Sequence, residues 1–198
     1  HEPWWNNYKY LNTHYARLSL ALSSGRQVND ILILEPTTSA WLYDSYTQPD
    51  KKYAEIGQAF QTFITKLEKS QVEYDLGSEN IIKDMGSVSN GKLVVGQASY
   101  SRIVIPPMTE NLDRQTYKLL EKFVSKGGKL IAFSIPTLVD GSTSEGLKEL
   151  FNKKSEKIIL IDKLTQEVIY KYFNNISLKF EGVTGGALYH HRRILSDG

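Results

Sequence analysis

The chain has 198 residues, with 24 Lys+Arg against 22 Asp+Glu and a net charge of +2. Hydrophobic residues make up 40 % and charged residues 23 %, a balance that excludes a disordered chain, and near-neutrality makes the chain a poor candidate for binding nucleic acid. Cysteine is absent, which excludes a disulfide scaffold, a thiolate metal site and a cysteine nucleophile.

No apolar run approaches membrane-spanning length. The opening His1-Glu2-Pro3-Trp4-Trp5 is neither a signal peptide nor an initiator sequence, so the chain reads as beginning within a longer protein. The first element is a predicted helix. Trp4, Tyr8, Leu11, Tyr15, Leu18 and Leu22 form one apolar stripe, Pro3 suits its first turn, and Gly25 suits a left-handed stop. Asp30-Ile31-Leu32-Ile33-Leu34 then reads as a strand covered on both faces.

Thr37 to Asp50, with Trp41, Tyr43 and Tyr46, reads as a loop. Tyr53, Ile56, Phe60, Phe63, Ile64 and Leu67 mark the buried face of a second helix. Val72 to Asp75 is the next expected strand, Ser78 to Asp84 a short helix, and Gly91 to Gly96 a hairpin arm. Ile103-Val104-Ile105 is a buried strand stopped by Pro106-Pro107. Leu112 to Ser125 reads as a helix capped by Asn111 and closed by Gly127-Gly128. Lys129 to Phe133 and Ile158 to Ile161 read as strands, Leu147 to Phe151 and Leu164 to Phe173 as helices. Ser177 to Phe180 and Ala187 to His191 are expected to be strands of a different, antiparallel element.

Strands alternating with helices predict a three-layer, doubly wound α/β domain with a mostly parallel sheet. Its expected span is 29–175, preceded by a helical lead-in over 1–28 and followed by the start of a β-element over 176–198.

Ligands of such sheets collect beyond the carboxyl ends of the strands. Glu35-Pro36-Thr37-Thr38-Ser39 is no glycine-rich phosphate cradle, and no Walker sequence occurs. Thr37 to Ser39 offers hydroxyls to an anion, but a plain polar loop is the simpler reading. Ser134 has the position of a strand-end nucleophile without the flanking glycines, and a hydroxyl satisfying backbone is the simpler reading. His190 and His191 are adjacent, so on a strand they face opposite sides and cannot share a metal. No cofactor or metal site is expected. Glu35 ends a buried strand at the sheet mouth, and Trp5, Trp41 and Tyr43 are candidate aromatic surfaces for a sugar face.

The runs His1 to Trp5, Tyr15 to Ser19, Gly25-Arg26 and Asp30 to Trp41 resemble the segment that follows the catalytic barrel in large bacterial glycoside hydrolases. Those enzymes are related to α-L-rhamnosidases and to sugar-binding-domain family 2 enzymes. Leu93 to Gly96 with Tyr100, Ile103 to Pro107, and Leu119-Leu120 to Ile131 resemble the β-galactosidase trimerisation domain. That domain has a flavodoxin-like, class I glutamine amidotransferase-like fold. His191 to Gly198 resembles the lead-in to a following β-sandwich.

The resemblance implies an accessory, non-catalytic domain of a periplasmic or extracellular enzyme of polysaccharide degradation. It implies barrel and β-sandwich neighbours in the same polypeptide, with carbohydrate contact and homo-oligomerisation as further expectations. The amidotransferase nucleophile is a cysteine, which this chain lacks. Glu2, Trp5, Glu35, Trp41 and Tyr43 are the candidate carbohydrate contacts. A stand-alone amidotransferase-like or esterase-like hydrolase, or a flavodoxin-type small-molecule domain, is the alternative.

Overall fold

The computed structural model describes residues 2–48, 50–152, 155–173, 182 and 190–195. The chain divides into two compact units, His1–Val28 with Tyr189–Gly198, and Asn29–Leu188.

In the larger unit, five short strands form a parallel sheet. They are β1 (Ile31–Leu34), β2 (Asp75–Gly77), β3 (Arg102–Ile105), β4 (Lys129–Ala132) and β5 (Ile158–Leu160). Their order across the sheet is β2-β1-β3-β4-β5. Register is fixed by Leu34 opposite Gly77, Leu32 opposite Ile103, Ile105 opposite Ala132, and Ile131 opposite Ile159. All four ladders run parallel, so each crossover carries helix.

Helices cover both faces. On one side Leu32, Leu34, Ile103, Ile105 and Leu130 meet α4 (Glu79–Met85), α5 (Arg114–Ser125) and α6 (Glu145–Asn152). On the other, Ile31, Ile33, Val104 and Ile131 meet α3 (Lys51–Lys69) and α7 (Gln166–Phe173). Alternate residues of one strand thus point into separate cores, which is why Ile31–Leu34 carries no polar residue. Asp30 anchors the front of β1. Its carboxylate takes hydrogen bonds from the Ser101 hydroxyl at 2.6 Å and Arg102 Nη2 at 3.1 Å.

Several elements differ from expectation. Thr37–Trp41 is a short helix, α2, inside the stretch read as a loop. Five residues are too few to display a helical period. The second strand starts at Asp75 rather than Val72, because the ladder with β1 begins at Leu32 opposite Asp75. Val72 and Glu73 are buried without joining it. The hairpin arm is the middle of a three-stranded antiparallel meander, Gly86–Ser89, Lys92–Val95 and Ala98–Tyr100. Asn111 does not cap α5. It lies with Leu112 in a two-residue strand beside Leu138–Val139, and Asp113 holds the cap position. The expected strand at Ser177 to Phe180, and most of that at Ala187 to His191, lie outside the described residues. His190 and His191 themselves are described and are not in a strand.

In the smaller unit, a 3-10 turn (Trp5–Asn7) leads into α1 (Tyr8–Ser23). Gly25, at φ +65°, turns the chain into a two-residue strand, Arg26–Gln27, paired antiparallel with Arg193–Ile194. The Arg193 guanidinium closes this unit by donating to the carbonyls of Ser23, Ser24 and Gly25. No residue of α1 is buried.

Candidate functional site

The order of the strands reverses between β1 and β3, and the crevice beyond their carboxyl ends is the ordinary ligand position of such a sheet. Here the chain's own polar groups fill that position. Ser39, fully buried in α2, accepts from the backbone N–H groups of Glu110 and Asn111 at 2.9 and 3.0 Å. Thr38 donates to Glu79 Oε1 at 2.6 Å, and Glu79 Oε2 accepts from the Asp113 N–H at 2.7 Å. One buried carboxylate therefore ties together the starts of α2, α4 and α5. Burial raises the Glu79 carboxyl above its ordinary range, and the bonds from Thr38 and Asp113 only partly offset this.

The loop after β3 is held just as closely. Met108 takes a left-handed backbone at φ +62°. The Ser134 hydroxyl donates to the Pro106 carbonyl at 2.7 Å and accepts from the Thr109 N–H at 3.0 Å. Asn111 Oδ1 accepts from the Gly141 N–H at 2.8 Å. Thr38, Ser39 and Ser134 are thus all engaged within the fold; Ser134 satisfies backbone as expected, whereas Thr38 and Ser39 lie in a helix and not in the polar loop expected.

The rim of this end carries a charged cluster. The Tyr43 hydroxyl donates to Glu110 Oε2 at 2.5 Å and accepts from Lys52 Nζ at 2.9 Å. Lys52 also pairs with Glu110 Oε1 at 2.5 Å and stands 4.5 Å from the Tyr43 ring centroid. Hydrogen bonding to Glu110, then to Tyr43, pushes the Lys52 ammonium up. Burial opposes ionisation of Glu110, but the bonds from Lys52 and Tyr43 outweigh it and hold the carboxyl below its usual range. Asp50 caps α3 through the Lys52 N–H at 2.9 Å and donates its own N–H to the Tyr43 carbonyl at 3.2 Å. These two bonds fix the distance from Tyr43 to Lys52.

Of the sequence candidates, Trp41 and Tyr43 share one turn at the end of α2, and Trp41 is 57 % exposed. Glu35 is half-buried, and its N–H extends the β1–β2 ladder to the Gly77 carbonyl at 3.1 Å. Glu2 and Trp5 belong to the smaller unit. Glu2 is exposed, and Trp5 is 68 % exposed with its ring 5.6 Å from that of Tyr8. A surface groove runs along α1 past Trp5, Tyr8 and Asn12. Sequence reasoning missed Lys52, Glu79 and Glu110. Glu110 lies 67 positions from Tyr43, and no local pattern signals such a contact.

Compared with protein-family models and with curated proteins, the chain finds no match.

Proposed function

We propose that this chain is a non-catalytic α/β module of a polysaccharide-degrading glycoside hydrolase, working by packing against a catalytic barrel and shaping the rim of its sugar site. The observation that carries the reading is α1. Leu11, Tyr15, Leu18 and Leu22 form an apolar stripe on a sixteen-residue helix, and every one of them is exposed. An apolar helical stripe of this length is a surface made to be covered. The neighbouring barrel of the same polypeptide is the cover proposed, with the strand at Arg193–Ile194 leading into a β-sandwich. The strand order β2-β1-β3-β4-β5 supports the flavodoxin-like, amidotransferase-like version of the fold. A periplasmic or extracellular location goes with this reading.

Composition favours the module over a stand-alone hydrolase. Residues 29–188 contain neither histidine nor cysteine, so this unit supplies no imidazole base for a serine. Ser134 is already engaged by two backbone groups. The engaged Thr38 and Ser39 count likewise against a flavodoxin-type anion site. Trp41 and Tyr43 are the rim residues proposed to reach carbohydrate in the larger unit, and Trp5 and Glu2 in the smaller.

The test compares hydrolysis of aryl glycosides by this chain and by the native polypeptide that contains it. The native polypeptide is expected to be active and the chain alone inert. Turnover by the chain alone, or a native polypeptide with no glycosidase activity, overturns the proposal.

A further inference from the structure

A cleft of about 530 Å³ opens at the carboxyl ends of β3, β4 and β5, on the α3 face of the sheet. Its size is that of a small-molecule site, and it lies beyond the carboxyl ends of the strands, away from the point where their order reverses. It is separate from the closed crevice between β1 and β3. Apolar walls come from Ala59 and Phe63 of α3, Pro107 after β3, Phe133 after β4, and Leu164 after β5. Phe63 and Phe133 meet edge to face, with centroids 4.8 Å apart at 67°. Phe133 in turn lies 6.3 Å from Phe173, so its ring is held from behind. The Lys66 ammonium donates to the Leu164 carbonyl and holds the 162–164 turn against α3.

The rim decides the class of ligand. Asp162 and Glu55, the latter paired with Lys51 at 3.2 Å, carry negative charge beside the positive charges of Lys66 and Lys163. Gln58 and Thr62 are bonded to each other, Gln58 Nε2 donating to Thr62 Oγ1 at 3.3 Å and Thr62 Oγ1 to the Gln58 carbonyl at 2.8 Å, which leaves Gln58 Oε1 and its second N–H for a ligand. Such a rim carries both signs of charge and offers hydrogen bonds of both senses around apolar walls. A neutral pyranose ring has that make-up, with apolar C–H faces and an edge of hydroxyls. A hydrocarbon would leave the rim unused.

We propose that this cleft is a binding site for a neutral glycosyl residue, with the partly exposed Phe133 against the ring, the buried Phe63 backing it, and Gln58 and Asp162 on its hydroxyls. The inference rests on the glycoside-hydrolase reading for its biological sense, and on the cleft alone for its chemistry.

The test is NMR of the full chain, following the Ala59 methyl and the Phe63 and Phe133 ring signals. Methyl β-D-galactopyranoside, methyl β-D-glucopyranoside and methyl α-L-rhamnopyranoside are titrated into the millimolar range. Glucuronate and cyclohexanol serve as the anionic and apolar controls. Saturable shifts are expected with at least one neutral glycoside and with neither control. Gln58→Ala and Asp162→Ala, both at exposed positions, are each expected to weaken binding about fivefold, the effect of one lost hydrogen bond. Leu18→Ser on α1 is expected to leave it unchanged. No saturable shift with any of the three glycosides, equal shifts with cyclohexanol, or unchanged binding in both cleft variants overturns the proposal. Failure here with an active native glycosidase removes the cleft alone. Binding here with an inactive native polypeptide removes the parent reading and leaves the cleft.

Discussion

Thr38 donates a 2.6 Å hydrogen bond to Glu79 across 41 positions of sequence, so a buried carboxylate occupies the end of the sheet where ligands of this architecture usually sit. The second oxygen of Glu79 takes the Asp113 N–H at the start of α5. Glu79→Ala leaves that N–H and the Thr38 hydroxyl without this acceptor. A loss of about 2–3 kcal/mol is expected, measurable by urea unfolding.

Glu79 also gives a pH signature. Its carboxyl is raised in the folded chain, so the folded state holds the proton more tightly than the unfolded state does. That contribution to stability is present below the ordinary carboxylate range and is lost as pH rises through the folded value. Glu79→Gln keeps the shape and removes the titration. Thermal unfolding of both proteins from acid to neutral pH is expected to show this downward component in wild type only. Parallel curves for the two would contradict the assignment.

Asp30 behaves in the opposite sense. Burial opposes its ionisation, but the bonds from Ser101 and Arg102 outweigh this and lower its carboxyl. Its contribution is present above the unfolded value and is lost as pH falls through the folded one. Asp30→Asn is expected to cost about 1–2 kcal/mol at neutral pH, discounted for partial exposure of the pair, and to flatten the acid limb of the stability curve.

Gly128 sits beneath the fully buried ring of Phe123, and a Cβ there would overlap that ring. Gly128→Ala is expected to destabilise the fold by about 1–3 kcal/mol through overpacking. Calorimetry would read this as a lower Tm with the transition still cooperative.

The stripe on α1 predicts a contrast. Leu11 and Leu18 are 49 % and 43 % exposed and belong to no core, so Leu11→Ser with Leu18→Ser is expected to shift stability by less than about 0.5 kcal/mol per site. The same pair is expected to reduce binding of a hydrophobic dye to the chain. A large loss of stability would show that the stripe already has a partner here.

The strands that bury both faces were the legible part of the fold. Ile31–Leu34, Arg102–Ile105 and Lys129–Ala132 stand out because a parallel sheet between two helical layers leaves little room for polar residues in them. α3 was legible because its apolar residues recur at helical spacing over nineteen residues. α2 and the strand at Asn111–Leu112 were not, since five and two residues hold no period and both are fixed by distant partners. The candidate site divides the same way. Tyr43 was visible as an aromatic in a polar stretch, whereas its bond to Glu110 depends on how the loop after β3 folds back. Glu79 was silent, because nothing in Ser78 to Asp84 marks a carboxylate that will be buried.

The central claim is that this chain is one module of a larger glycoside hydrolase. An immunoblot of source cells, with an antibody raised against this chain, measures that most directly. The account predicts a native band several times larger than 22.5 kDa. A native band near 22.5 kDa would contradict it.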